Sequence, residues 1–249
     1  MTTLPPNATY IEGARLSYDG EVLFDGVDMN LAEGGWTCLL GKSGVGKSSL
    51  LRLIAGLEND ARADAMAIAG VAESGGNIAY MAQQDLLMPW LTLAENVAIG
   101  ERLRGGPKGS GLERARDLLG RVGLAQETNF YPDACSGGMR QRAALARTLL
   151  EDRPVVLMDE PFSAVDAITR LELQDLAAEI LSGRTVLLVT HDPLEALRLG
   201  DRIFVMSGRP AALTQLDPLP PGATPRRIDG DGMAAAQAAI LNLIGGNNG

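Results

Sequence analysis

The segment Gly41-Lys42-Ser43-Gly44-Val45-Gly46-Lys47-Ser48 fits the pattern G-x-x-x-x-G-K-[ST] in full. It stands directly after the apolar run Trp36-Thr37-Cys38-Leu39-Leu40 and before Ser49-Leu50-Leu51-Arg52-Leu53-Ile54. Strand, glycine loop and helix in that order point to an α/β fold that binds a polyphosphate at a helix N-terminus. Gly41, Gly44 and Gly46 let backbone N–H groups turn inward, and Lys47 supplies a point charge for the β- and γ-phosphates. Ser48 offers a hydroxyl to Mg²⁺, and Ser49 continues the set of candidate nucleotide contacts. A glycine-rich turn without a ligand is the alternative, and the flanking strand and helix argue against it.

A chain of 249 residues suffices for one large α/β domain, or a core with a subdomain, and buries a stable interior. The formal charge of −9 gives no footprint for nucleic acid, which needs clustered Lys and Arg to neutralise phosphates. Cys38 falls in a predicted core strand and Cys135 beside a glycine pair, so both read as packing residues of a reducing compartment. No apolar stretch has the length of a membrane span, and Met1-Thr2-Thr3-Leu4-Pro5-Pro6 lacks the basic and apolar regions of an export signal. The expectation is a chain that neither crosses a membrane nor is exported, with any membrane role carried by a partner subunit.

From Ala8 to about Leu31, apolar stretches broken by Asp19-Gly20 and Asp25-Gly26 predict a few strands with tight turns. Glu58 to Gly76 predicts a small excursion of strands, and Asn77–Met81 a further strand. Residues 83 to 153, approximately, take on helical character and read as a subdomain inserted into the core, interrupted by a loop over Gly105–Gly111. The continuous apolar runs Pro154–Met158 and Thr185–Val189 predict parallel strands covered on both faces, with a helix over Ile168–Leu181 between them. Ile203–Met206 reads as the last strand. Residues 207–249, rich in Pro and Gly, predict a loosely packed extension with a short helix from Met233 to Leu243.

Ligands of an open parallel sheet collect outside the carboxyl ends of its strands. Gly41, Asp159 and His191 each follow an apolar run, so three predicted strands deliver polar residues to one edge. Asp159 is the candidate for holding Mg²⁺, through water, and Glu160 the candidate for polarising an attacking water. An acidic pair after a strand also serves as a helix cap or solvated loop; beside a phosphate loop the catalytic reading prevails. His191, the only histidine, is placed to bond the γ-phosphate and the water, against the alternative of a structural imidazole. Ser136 in Cys135-Ser136-Gly137-Gly138-Met139-Arg140 reads as the N-cap of a helix running to about Leu150, which makes a second anion site. Alone such a turn is only a cap. With the rest it reads as a second contact to the nucleotide, supplied by another copy.

From about Tyr10 to Met206 these residues resemble the nucleotide-binding subunit of the ATP-binding cassette (ABC) transporters: a P-loop NTPase (RecA-like) core, an N-terminal antiparallel β subdomain and an inserted helical subdomain. Gly41–Ser48 resembles Walker A, and Val155–Glu160 Walker B. Ser136–Gln141 resembles the LSGGQ signature, with Cys135 in place of the usual Leu and Met139 at its final position. Ser163–Asp166 resembles the D-loop and His191 the switch histidine. The resemblance implies ATP and Mg²⁺ as ligands, with Ser136, Gly137, Gly138, Met139 and Asp166 added to the ATP site. Tyr18 would stack on adenine, or be core. Gln83 would join Mg²⁺ and the attacking water to a transmembrane partner, and it is preferred to the adjacent Gln84 because Pro89-Trp90 follows at the family's spacing. Met81, Leu86, Leu87, Met88 and Trp90 would receive a coupling helix, or be core.

The assembly that the resemblance implies is a two-fold dimer holding each ATP between Walker A of one copy and Ser136–Met139 of the other. It would sit at the cytoplasmic face of the membrane, bound to permease subunits and indirectly to a solute-binding protein. The string Gln83-Gln84-Asp85-Leu86-Leu87-Met88-Pro89-Trp90-Leu91-Thr92 is similar to the importer branch for nitrate, sulfonates, taurine and thiamine-precursor pyrimidines, and most resembles the hydroxymethylpyrimidine importer ATPases. The alternative is a non-transport ABC machine of DNA repair or translation, which usually carries a second cassette, a long insertion or a basic face.

Overall fold

The computed structural model describes residues 9–18, 20–58, 60–67, 77–106, 109 and 111–245, and the Tyr18 side chain lies outside that description. The chain opens with β1 (Tyr10–Tyr18) and β2 (Glu21–Asn30), then β3 (Trp36–Gly41), α1 (Lys47–Ile54) and β4 (Ala65–Ala67). β5 (Ile78–Met81) leads into α2 (Leu93–Val97), α3 (Ile99–Leu103), α4 (Leu112–Arg121) and α5 (Gly137–Leu150). β6 (Val155–Asp159), α6 (Ala167–Ile180), β7 (Thr185–Val189) and α7 (Pro193–Leu199) come next, then β8 (Arg202–Gly208), β9 (Ala211–Gln215) and α8 (Met233–Gly245). Two compact units result. One comprises Met1–Ile78, Pro154–Asp159 and Ser182–Gly249; the other comprises Ala79–Arg153 and Glu160–Leu181.

The first unit is built on a sheet that runs β4-β1-β2-β9-β8-β3-β7-β6 through it. β8, β3, β7 and β6 are parallel neighbours, registered Cys38 to Ile203, Cys38 to Leu188 and Leu157 to Leu187. Every residue of β3, β6 and β7 is buried, which is why these strands read as unbroken apolar runs rather than as alternations. Each such leucine stabilises the fold by about 2 kcal/mol through burial. β1 and β2 instead form a twisted antiparallel hairpin whose register shifts between Ile11 and Ser17, and β2 alternates buried and exposed positions as a half-covered strand does. Helix α1 packs on β3, β6 and β7; α7 packs on β3, and α8 on α7 and β8.

The last residues of this unit correct one expectation. Beyond Ser207 the chain turns back as β9, antiparallel to β8 from Phe204–Gln215 to Gly208–Ala211, and buries Leu216. The next segment is pinned by Arg226, whose side chain is almost wholly buried and whose guanidinium donates to the carbonyls of Leu197, Gly200 and Pro220. The extension is therefore packed, because one cation supplies the donors that a proline-rich segment lacks. Its helix was legible: α8 begins at Met233 as expected and runs to Gly245. In the excursion expected over residues 58–76, β4 is the described strand; residues 59 and 68–76 lie outside the description, as do 107, 108 and 110 of the 105–111 loop.

The second unit is mainly helical. A capping box starts α2: the Glu95 amide donates to Thr92 Oγ1 at 3.3 Å and the Thr92 amide to Glu95 Oε2 at 2.8 Å. Donation by the Thr92 amide, and then by its hydroxyl, holds the Glu95 carboxyl below its ordinary range. Helix α5 is the spine, burying Ala143–Ala146, Leu149 and Leu150 against α2 and α4. Arg121 reaches Glu179 at 2.8 Å, tying α4 to α6.

Candidate active site

In the first unit, parallel pairing sets Leu39, Val189 and Asp159 in line across β3, β7 and β6. The ends of three strands thereby bring Gly41, Asp159 and His191 to one sheet edge. Asp159 is buried, and the Thr190 amide donates to the Leu39 carbonyl at 3.1 Å, leaving His191 exposed just beyond it. The backbone around Gly41 admits no side chain, since a Cβ there would stand 2.4 Å from the Met206 carbonyl oxygen. Gly46 sits at φ +115, where only glycine is comfortable, and precedes α1 with no side-chain cap. The first amides of α1 thus face the loop as donors without a capping side chain in front of them.

Lys42, Ser43 and Gly44 are exposed, Val45 and Ser48 half-buried, and Lys47 and Ser49 buried. The Lys47 ammonium is folded over the loop, donating to the carbonyls of Gly41 at 2.8 Å and Lys42 at 3.0 Å. This arrangement concentrates positive charge and amide donors on one concave turn, the electrostatics a polyphosphate requires. Ser48 and Asp159 offer few ligands to a metal, and among the described residues no group of three His, Cys, Asp or Glu forms a cage of its own. Such a sparse oxygen set fits Mg²⁺ carried on nucleotide phosphates rather than a metal held by protein alone. A separate concave region of about 660 Å³ lies over β1 and β2, where Arg15 is already engaged by Asp25 and Asp64 at 2.8 and 3.0 Å.

The second unit gathers the remaining candidates. Glu160 adopts φ +50, left-handed for a non-glycine residue, which costs on the order of 1–3 kcal/mol and persists only where neighbours over-determine it. Its carbonyl accepts from Gln141 Nε2 at 3.1 Å, Ser163 N at 3.3 Å and Ser163 Oγ at 3.0 Å. Gln141 also donates to the Pro161 carbonyl at 3.1 Å. The Gln83 amide lies 3.5 Å from the Glu160 carboxylate, so of the two adjacent glutamines it is Gln83 that reaches toward Glu160.

Ser136 caps α5, its Oγ accepting from the Met139 amide at 3.2 Å. Ser136 and Gly137 are exposed, while a Cβ on Gly138 would meet the Ala164 carbonyl at 3.0 Å. The Asp166 carboxylate caps α6 through the Ile168 and Thr169 amides, both at 3.1 Å, and the Thr169 side chain, then these amides, lower its pKa.

Sequence reasoning assigned no role to four side chains that hold this unit's loops. Gln141 is one. Arg140 donates to Asp85 at 2.9 Å, and Arg147 donates to the Asp85 and Leu86 carbonyls at 2.7 and 2.9 Å. Desolvation lowers the Arg147 pKa, opposed by Asp85. The signal was present: residues 140 and 147 lie two turns apart on one helix face. Asn96, fully buried, brackets the 88–92 turn by accepting from the Met88 amide and donating to the carbonyls of Met88, Leu91 and Thr92.

The expected apolar surface divides. Leu86 and Trp90 are exposed, at 53% and 70%. Met81 and Leu87 are core, Met81 because β5 alternates and turns it inward.

Residues 24–163 match the family model described as ABC transporter. This chain belongs to the ABC transporter family. Over 238 residues, 95% of this chain and 98% of the relative, it is 42% identical to an uncharacterized ABC transporter ATP-binding protein of Haemophilus influenzae. It is 42% identical over 218 residues, 87% of each chain, to the aliphatic sulfonates import ATP-binding protein SsuB 1 of Pseudomonas syringae. The SsuB protein of Delftia acidovorans is 39% identical over 96% of this chain and 94% of its own. Among solved structures, the ATP-binding cassette MJ0796, described as a dimeric post-hydrolysis state bound to ADP and Pi, superposes with a TM-score of 0.72 at 27% identity. That match covers 88% of this chain and 99% of the other. The ABC transporter fold of the chain, a P-loop α/β core with its antiparallel hairpin, is thus the one expected from its sequence.

Proposed function

We propose that this ABC transporter chain is the ATP-hydrolysing subunit of an importer for a small organic anion of the alkanesulfonate class, acting as a dimer on separate membrane subunits. The observation that carries the catalytic part is the uncapped, glycine-walled turn before α1 with Lys47 folded across it. The solute class is supported by relatives of similar length whose names specify aliphatic sulfonate import. Among the described residues no helix is long and apolar enough to cross a membrane, so transport would need partner subunits, with exposed Trp90 and Leu86 as the contact. The chain would work at the cytoplasmic face of the membrane.

In this reading Gly41–Ser49 cradles the α-, β- and γ-phosphates, Tyr18 faces adenine, and Ser136–Met139 of a second copy contacts the same nucleotide, with Asp166 nearby. Glu160 takes a proton from the attacking water, Gln83 orients that water, and His191 bonds the γ-phosphate as charge develops on it. Ser48 and Asp159, with Gln83, would hold Mg²⁺, whose charge neutralises the phosphate oxygens. Binding energy from the γ-phosphate favours the closed dimer, and its loss after hydrolysis reopens it.

Two measurements test the reading. The purified chain should hydrolyse ATP only with a divalent cation, and deletion of its gene should abolish growth on an alkanesulfonate as sole sulfur source while sparing growth on sulfate. Growth unaffected by the deletion overturns the solute; absence of turnover overturns the enzyme.

A further inference from the structure

Helix α7 has seven residues, too few to hold itself in water; Ala196, Leu197 and Leu199 pack it on its neighbours β3 and α8, and hydrogen bonds grip its two ends. Its N-terminal grip is short-range: the Asp192 carboxylate accepts from the Leu194 amide at 2.9 Å and the Glu195 amide at 3.5 Å, and the Asp192 amide donates to Thr190 Oγ1 at 3.0 Å. This end adjoins His191. The C-terminal grip comes from far along the chain, and Arg226 provides three of its bonds. Arg226 Nη1 donates to the Leu197 and Gly200 carbonyls at 3.0 and 2.7 Å, and the Arg226 amide donates to the Arg198 carbonyl at 2.7 Å. A helix leaves its last carbonyls unpaired and carries partial negative charge there, so a buried guanidinium is the complementary partner.

The same segment also holds the strand that feeds the phosphate loop. Thr224 Oγ1 donates to Asp201 Oδ1 at 2.9 Å, while Asp201 Oδ2 accepts from the Trp36 amide at 2.9 Å at the start of β3. Gly200 lies close enough to Cys38 of β3 that a Cβ there would stand 3.1 Å from the sulfur. Burial, with Glu195 and Asp201 close by and Arg226 opposing them, pushes the Cys38 thiol up, marking a dry, charge-lined joint beneath α7.

We infer that Arg226 is a positioning residue for ATP hydrolysis: from the C-terminal extension it fixes the C-terminal end of α7 and, through that helix, the placement of His191. The inference rests on the functional reading above and assigns the extension a role in turnover rather than in binding the solute or the membrane subunits. A small displacement of a group that must meet a developing charge is enough to lower the rate by one or two orders of magnitude without touching affinity.

The test compares Arg226→Met, Arg226→Lys and His191→Ala, singly and combined, in the full chain. For Arg226→Met, kcat should fall about ten- to hundred-fold while the Kd for a fluorescent ATP analogue stays within about two-fold of the parent. Arg226→Lys, which keeps the cation but not the fork, should recover part of the rate. In the His191→Ala background Arg226→Met should lower kcat no further, because the group it positions is gone. Amide exchange should quicken from His191 through Leu199 and remain unchanged over the loop 41–48. Additive losses in the double variant, a parallel loss of ATP affinity, or exchange that quickens without reaching His191 would overturn the assignment. Should Arg226→Met fail to fold, Arg226→Lys carries the same split at smaller size. If the parent chain shows no ATP turnover the functional reading falls, and the exchange measurement still reports on whether Arg226 fixes the histidine.

Discussion

The left-handed backbone of Glu160 is held by donors converging on a single carbonyl, with Gln141 reaching it from α5 and Ser163 from the next turn. Those bonds act on the main chain, so replacing the side chain leaves the turn intact. Glu160→Gln keeps the length of the side chain and an oxygen for Gln83 while removing the base. The variant should bind ATP as the parent does and hydrolyse it at least about 100-fold more slowly, the loss a positioned general base typically accounts for. Single-turnover measurements check this, and turnover within a few-fold of the parent would take Glu160 out of the role. Of this arrangement the sequence disclosed the carboxylate and its neighbour Asp159, since both follow an apolar run. It did not disclose Gln141 as the support, because a glutamine inside a helix signals nothing until its partner, 19 residues on, is brought to it.

Elements buried on both faces were legible and elements closed by a distant partner were not. β3, β6 and β7 carry no inward-outward alternation, so their extent is written in unbroken apolar residues. β9 escaped notice because Thr214 and Gln215 are polar and the preceding Arg209-Pro210 reads as the end of a strand, whereas pairing with β8 outweighs that weak propensity. Caps lie between these cases: Ser136 was legible as the cap of α5 and accepts the amide bond, while Thr92 and Asp166, residue types that favour the same position, cap α2 and α6 without having been singled out as caps. Asp166 allows a pH test. Its carboxyl is acidified by the Thr169 side chain and by the α6 amides, below its ordinary value of 3.8, so the stabilisation it gives is fully present above that value and is lost as pH falls through the lower, folded one. Asp166→Ala should lower Tm by a few degrees at neutral pH. The gap between parent and variant should begin to close as pH falls past 3.8 and vanish once pH is below the folded value, and a gap unchanged throughout the acid range would show that the carboxylate charge is not what caps the helix.

For the whole molecule the decisive question is whether the Ser136 turn serves a nucleotide bound by another copy. Within its own chain Ser136 already has a task, capping α5, and that task leaves Ser136 and Gly137 exposed. An exposed turn of small residues at the start of a fourteen-residue helix offers amides and a positive dipole end to an anion, and two copies related by a two-fold axis would each present it to the other's phosphate loop. Ser136→Arg places a bulky cation in that turn while leaving Gly41–Ser49 of the same chain untouched. Nucleotide affinity of the monomer should therefore be kept within about two-fold, whereas the dimer that ATP stabilises in a Glu160→Gln background should disappear. Sedimentation with ATP distinguishes the outcomes. Loss of the dimer with binding retained requires that the turn act across the two-fold, because a defect confined to one chain would lower affinity first; an unchanged ATP-dependent dimer would mean that the second contact lies elsewhere.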